Sequence, residues 1–282
     1  MEHDEPVEHK ALRLRSLLLG AFVLPTFVDL PALAGTAALV PHRGIYDIGL
    51  KSARDQSGIT SAQGRMVIEV QGGSCEGWTV DFRMVNQFTT NSGTSRLLDV
   101  RSSSWESPDG KEMRYNERQF VDNALQDEST LTAAVGSEGR PGKGKMTKPA
   151  EKEFEIPPGT IFAVAHQIRL VELARKGESR DSSIVFDGSD GEKSMEVISF
   201  FGGPQKTDKI EAAKALKSMT MWPVSISYFG RKAGKSEETP DYQVSMQLFE
   251  NGISGDLVLD YGEFVLNAHL AKLDLLEPPK CK

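Results

Sequence analysis

Residues 157–177 read PPGTIFAVAHQIRLVELARKG, the one long helical signal in a chain that otherwise reads as strands and turns. Pro157 and Pro158 block a helix before it, Thr160 suits an N-cap, and Gly177 supplies the positive φ that ends a helix. The spacing predicts a helix over 160–176. Its apolar residues do not form a single stripe: Ile161, Ala165 and Ile168 share one face, while Phe162, Val164, Leu170, Val171, Leu173 and Ala174 continue round the cylinder. A helix whose first three turns have no clearly polar side needs neighbours on several sides, so a curled sheet is expected to wrap it. Arg169, Glu172, Arg175 and Lys176 come late, and the bases among them suit the negative end of the helix dipole.

Outward from this helix the pattern is β on both sides. Alternation at 45–50, 65–70 and 78–88 predicts the strands of a meander, and 96–105 with 111–119 forms a hairpin about the turn Ser107-Pro108-Asp109-Gly110. Residues 120–135 are ambiguous, with 131–135 a candidate strand. A flexible basic loop or hairpin tip is expected over 136–149, then a strand at 151–156. Beyond the helix, strands are expected at 184–187, 194–201, 221–229, 242–249, 253–261 and 264–276, with a short helix at 209–216 and a tight hairpin at Asn251-Gly252. Strands at this spacing describe a sandwich, a barrel or a strongly coiled sheet. No linker is long and Pro-rich enough to mark a boundary, so one mainly β domain over 35–282 is expected, with a split near Gly177 as the alternative.

Charge and targeting narrow the function. A formal charge of −7 and a pI near 5.4 exclude a generic nucleic-acid surface, which needs clustered bases against phosphate. Lys10, Arg13 and Arg15 precede the apolar run SLLLGAFVLPTFV, and Ala32-Leu33-Ala34 gives a signal peptidase its small residues. Residues 1–34 are therefore expected to be a cleaved export signal, with Ala38 a second candidate cleavage point; an uncleaved anchor and a buried helix are the alternatives. No other run approaches the length needed to cross a bilayer. The two cysteines, Cys75 and Cys281, suggest one disulfide in an exported chain, against a lone surface thiol at Cys281. A metal pair lacks partners, since only His42, His166 and His269 follow the leader and they have no ligand spacing. No cofactor is expected.

Several stretches together resemble the envelope integrity protein B family of exported bacterial proteins: LVPHRGIYDIGL at 39–50, SCEGWTVDFR at 74–83, SWESPDGKEMRY at 104–115, the helical segment 157–177, and PDYQVSMQLFENGISGDLVLDYGEF at 240–264. The resemblance covers nearly all of the chain after the leader, and the terminal Cys281 adds to it. It implies a periplasmic protein with a many-stranded antiparallel β-spiral around one helix, similar to the lipoprotein carriers of the Lol pathway. It also implies a disulfide joining Cys75 to Cys281. Gly44 stands where the family pattern suggests alanine.

Candidate sites are then weighed against plainer roles. GRPGKGK at 139–145 matches the first positions of a phosphate-binding loop, but Met146 replaces the Ser or Thr that would hold Mg²⁺ and Pro149 prevents the required helix, so a hairpin tip is expected. His42 and Arg43 at the start of the first strand are candidates for surface recognition, although an ion-paired Arg and a backbone-bonded His are the commoner outcome. No Gly-x-Ser-x-Gly elbow or telling His–acid spacing marks a catalytic centre. Ile161, Phe162, Ala165, Leu170, Leu173, Trp78 and Trp222 are expected to line a ligand space. The function expected is non-enzymatic upkeep of the envelope, with a lipid or lipoprotein acyl chain bound in the concavity and contact with membranes peripheral at most. The alternative is a scaffold docking a periplasmic envelope protein through its outer surface.

Overall fold

The computed structural model describes residues 39–281 apart from 138, 207–213, 233–234 and 237–238. The expected leader, 1–34, lies outside the described residues, as does most of the expected helix at 209–216, of which Lys214–Leu216 forms one 3₁₀ turn. The first half of the fold is a meander of eight strands: β1 (His42–Ala53), β2 (Ile59–Gly73), β3 (Gly77–Thr90), β4 (Ser95–Glu106), β5 (Glu112–Val121), β6 (Ala124–Ala134), β7 (Gly142–Lys148) and β8 (Lys152–Ile156). A short strand, β9 (Thr160–Phe162), leads into the helix α1 (Ala163–Lys176) and then into β10 (Arg180–Phe186) and β11 (Met195–Phe201). The remaining strands are β12 (Gln205–Lys206), β13 (Thr220–Phe229), β14 (Arg231–Lys232), β15 (Lys235–Ser236), β16 (Tyr242–Phe249), β17 (Ser254–Asp260) and β18 (Phe264–Leu275).

The helix starts later than its sequence predicts. Thr160–Phe162 pairs in parallel with Ile184–Phe186, and the Thr160 hydroxyl donates to the carbonyl of Pro157 at 2.7 Å instead of capping α1. Ladder pairing with β10 outweighs the local N-cap preference. Gly177 ends the helix at φ 75°, as expected. Residues 142–148, expected as loop, form β7: Gly144 leaves room for the ring of Phe154 on β8, while Lys143 and Lys145 on its flanks stay exposed.

One ladder runs β8-β7-β6-β5-β4-β3-β2-β1-β18-β17-β16-β13-β11-β10-β9, and β9 to β10 is its one parallel pairing. Its two edge strands, β8 and β9, are consecutive in sequence. The step from Ile156 to Thr160 spans at most about 14 Å of chain. The sheet therefore rolls until its edges meet.

Burial shows that the edges overlap instead of closing edge to edge. Ile161 and Val185 pack into the main core with Tyr46, Met66, Val197, Trp222, Leu248 and Leu266. Phe162 and Phe186, on the opposite face of β9 and β10, pack under Met113, Tyr115, Leu131, Ala133 and Ile156 from β5, β6 and β8. The inner turn of the spiral is thus buried on both faces, and the outer turn lies over it. Phe186 stands 5.7 Å from the Phe154 ring and 6.3 Å from that of Phe162, and Lys152 pairs with Glu192 at 2.6 Å across the overlap. Covering β9 hides one free edge, and charged Lys152, Glu153 and Glu155 guard the other.

Candidate functional site

The inner face of the spiral is fixed by strand alternation. On β3 it carries Trp78, Val80, Phe82, Met84, Asn86 and Phe88; on β13, Trp222, Val224, Ile226 and Tyr228; on β16, Tyr242, Val244, Met246 and Leu248; on β18, Phe264, Leu266, Ala268 and Leu270. Along each strand these residues are buried at one end or in the middle. Near the other end, Phe88, Tyr228, Tyr242, Val244, Leu259 and Phe264 are only partly buried. The interior is thus fully packed at one end, its floor, and less deeply buried at the other, its mouth.

The floor is closed by α1. Glu106, 1% exposed at the end of β4, accepts the backbone N–H of Val164 at 2.7 Å and of Ala165 at 3.2 Å. These are unpaired donors of the helix N-terminus, where a carboxylate also meets the positive end of the dipole. Burial nonetheless pushes the Glu106 carboxyl up to about 7, because desolvation outweighs those bonds. Gln167 donates to the carbonyl of Gly252 at 3.1 Å and Arg175 to that of Glu250 at 2.7 Å, while Arg169 is bidentate on Asp181. Contacts reach the helix from several sides, as its mixed pattern requires. Beside it a cavity of about 220 Å³ is bounded by Leu39, Ile68, Val70, Val164, His42 and Gln167, among others.

The mouth is walled by a chain of aromatic rings. Tyr228 and Tyr242 stack at 4.2 Å with their planes 12° apart; Tyr242 and Tyr261 lie 6.4 Å apart, Tyr261 and Phe264 5.1 Å, and Phe264 meets Phe88 edge-on at 5.6 Å. Registry brings them together: Tyr228 is opposite Tyr242, and β16, β17 and β18 are successive neighbours. Tyr261 is 40% exposed at the rim. Desolvation in this concavity raises the tyrosine hydroxyl pKa values, and Asp187, one residue beyond β10, adds to the shift at Tyr228 and Tyr242.

The structure divides the residues expected to line a ligand space. Leu170 and Trp222 are packed in the main core with Ile161 against them, Phe162 lies in the overlap, and Trp78 packs with Leu39, Val70 and Val164 at the floor. Leu173 and Ala165 are half-buried on α1. Five of the seven side chains are packed in three separate apolar clusters, and the set does not bound one shared space, because the helix sits on the floor and not along the mouth. His42 is no surface residue. It is 5% exposed, bonds the carbonyl of Val40 at 2.7 Å through Nδ1, and has its pKa lowered by burial. Adjacent Arg43 points to the outer face, where it pairs with Glu69. Cys75, in the turn after β2, is bonded to Cys281 with Cα atoms 5.8 Å apart. Sequence reasoning missed Tyr228, Tyr242, Tyr261 and Phe264 as a group. Their only sequence signal is the alternation that puts each on an apolar strand face.

Among the described residues no helix is long and apolar enough to cross a membrane, and no three His, Cys, Asp or Glu side chains converge as metal ligands. The EipB-like family model matches residues 33–277. Over 278 residues, 96% of this chain and 97% of the relative, the sequence is 32% identical to the cell envelope integrity protein EipB of Brucella abortus (strain 2308). The crystal structure of a β-barrel-like protein of a domain of unknown function from Brucella abortus matches with a TM-score of 0.80 at 32% identity, over 85% of this chain and 99% of that one.

Proposed function

This chain belongs to the EipB-like family, and from that premise we propose that it maintains the integrity of the cell envelope as a non-catalytic periplasmic protein that holds the alkyl chain of a lipid or lipoprotein in the mouth of its cup. The observation that supports this reading is the row of ring contacts through Phe88, Phe264, Tyr261, Tyr242 and Tyr228, four of them only partly buried and Tyr261 40% exposed at the rim. Aromatic surface left open to water in a concavity gains roughly 25 cal/mol for each Å² that a ligand covers. Titration with a fluorescent long-chain acyl probe tests it. Saturable one-to-one binding that is lost in Val244→Asp and Tyr242→Asp, with far-ultraviolet dichroism unchanged, is expected; equal binding by both variants would place the chain elsewhere.

A second reading rests on the outer face. There Phe200, 52% exposed, borders a groove of about 590 Å³ with Pro223, Val258 and the His269–Asp256 pair. A docking scaffold would lose envelope protection in Phe200→Ser while its probe binding stayed intact.

A further inference from the structure

The cavity beside the first turn of α1 is built by strand register. His42, Val70, Val80 and Ser104 are direct cross-strand partners on β1, β2, β3 and β4, so they form one row across the inner face. Three strand spacings separate the ends of the row, about 14 Å along the sheet. Val164 and Gln167 of α1 bound the space from the helix side, and Leu39 and Gly252 bound it from the β16–β17 turn. Leu39 is held in place there. The backbone N–H of Val40 donates to the carbonyl of Asn251 at 3.1 Å, and Leu39 lies so close to Gly252 that a Cβ at that position would meet its Cδ2 at 2.1 Å.

His42 gives this apolar space its chemistry. Its Nδ1 lies 2.7 Å from the carbonyl oxygen of Val40, which can only accept, so the ring proton sits on Nδ1 and Nε2 keeps a lone pair. Burial lowers the pKa of the ring, which is therefore neutral at neutral pH. The residue is 5% exposed, yet Nε2 has no hydrogen-bond partner among the described residues. It is also not sealed in by its neighbours, unlike Nε2 of His166, so its lone pair faces the cavity that His42 lines. Two other polar side chains of the wall direct donors at the backbone, the Tyr46 hydroxyl at the carbonyl of Ser254 and the Gln167 amide at that of Gly252. Ser104 stands at the far end of the row. No charged side chain bounds the space, so an ion entering it would lose its hydration without gaining a partner.

We propose that this cavity is a binding site for a small uncharged apolar molecule with one hydroxyl, which donates its hydrogen bond to His42 Nε2 while the apolar part lies along Val70, Val80 and Val164. A cavity of about 150 Å³ takes benzene. In proportion, one of about 220 Å³ takes about nine non-hydrogen atoms, which suits a substituted phenol or a short branched alcohol and excludes a whole lipid. Water alone fills such a space poorly, since each molecule needs two to four polar partners and Leu39, Ile68, Val70, Val80 and Val164 offer none. The site is independent of the reading given to the mouth: Val80 and Phe88 stand eight residues apart on β3, roughly 26 Å.

Two nearly isosteric probes, para-ethylphenol and para-ethyltoluene, test it by calorimetric titration at neutral pH. The phenol is expected to bind one-to-one and about tenfold more tightly than the toluene, which strips water from Nε2 and leaves it unpaired. In His42→Leu the phenol is expected to lose that advantage. Val80→Phe leaves His42 in place and fills the space, so it is expected to block both probes with far-ultraviolet dichroism kept, and it carries the test should His42→Leu fail to fold. Equal binding of the two probes by the wild type, or a preference for the phenol that survives in folded His42→Leu, overturns the hydrogen bond to His42 and with it the ligand class. Binding of neither probe, or binding that persists in Val80→Phe, overturns the site, whatever the acyl probe does at the mouth.

Discussion

The carboxylate of Glu106 accepts the backbone N–H of Val164 at 2.7 Å across 58 residues of sequence, so a strand in the first half of the chain caps the helix at its centre. Glu106→Ala removes the acceptor and leaves the Val164 and Ala165 donors unsatisfied in a buried setting. Such orphaned groups cost about 1–3 kcal/mol. A lowered thermal midpoint with far-ultraviolet dichroism retained is the expected outcome; an unchanged midpoint would mean that the cap contributes nothing.

The same residue sets a pH dependence. Its folded-state pKa, pushed up to about 7 by burial, lies above the ordinary value of 4.5, so the native state holds this proton more tightly than the unfolded chain does. The stabilisation is complete below about pH 4.5 and is lost as pH rises to about 7, a change of about 3 kcal/mol if this group acts alone. Urea unfolding midpoints should fall from pH 5 to pH 8 in the wild type and fall less in Glu106→Gln. Parallel profiles for the two proteins would assign the slope to other groups.

Phe186 is fully buried between the two turns of the spiral. Phe186→Ala is expected to cost about 3–5 kcal/mol, as for other buried aromatic truncations. Because the lost contact joins the outer turn to the inner, hydrogen exchange should quicken first in β6, β7 and β8 while β16–β18 keep their protection. Uniform loss of protection would show that the overlap does not open on its own.

Cys75 and Cys281 close a loop with a sequence separation of 206. On the chain-entropy model a loop of that length stabilises by about 5 kcal/mol at most. Cys75→Ser and Cys281→Ser should lower the thermal midpoint to the same extent, and reductant should bring the wild type down to them. A reductant-insensitive wild type would remove the bond from the stability account.

Much of the wall was legible in the sequence because strand signals are local. The alternation at 45–50, 65–70 and 78–88 falls inside β1, β2 and β3, and Asn251-Gly252 sits at the β16–β17 turn. The helix stop at Gly177 was equally legible. Its start was not, since Thr160–Phe162 takes its conformation from Ile184–Phe186, more than twenty residues away. Gly142–Lys148 reads as loop for a similar reason: its strand depends on a space that Gly144 leaves for Phe154. The helix pattern correctly called for neighbours on several sides, but it drew the ligand wall to Leu170 and Phe162, which are core. Tyr228, Tyr242, Tyr261 and Phe264 become one surface only through the register of four elements. Glu106 as a cap has no local signature at all.

The pairing of β1 with β18, His42 opposite Leu275, carries a consequence for how the protein is made. The first strand to leave the ribosome waits for the last. Until residue 275 exists, the twelve residues of β1 have one bare edge and the Cys75 thiol has no partner. Bare edges are templates for pairing with other chains. A premature stop anywhere upstream of β18 therefore does not yield a smaller working protein. It yields a sticky half-sheet with a reactive thiol, a product that protein quality control must find and destroy.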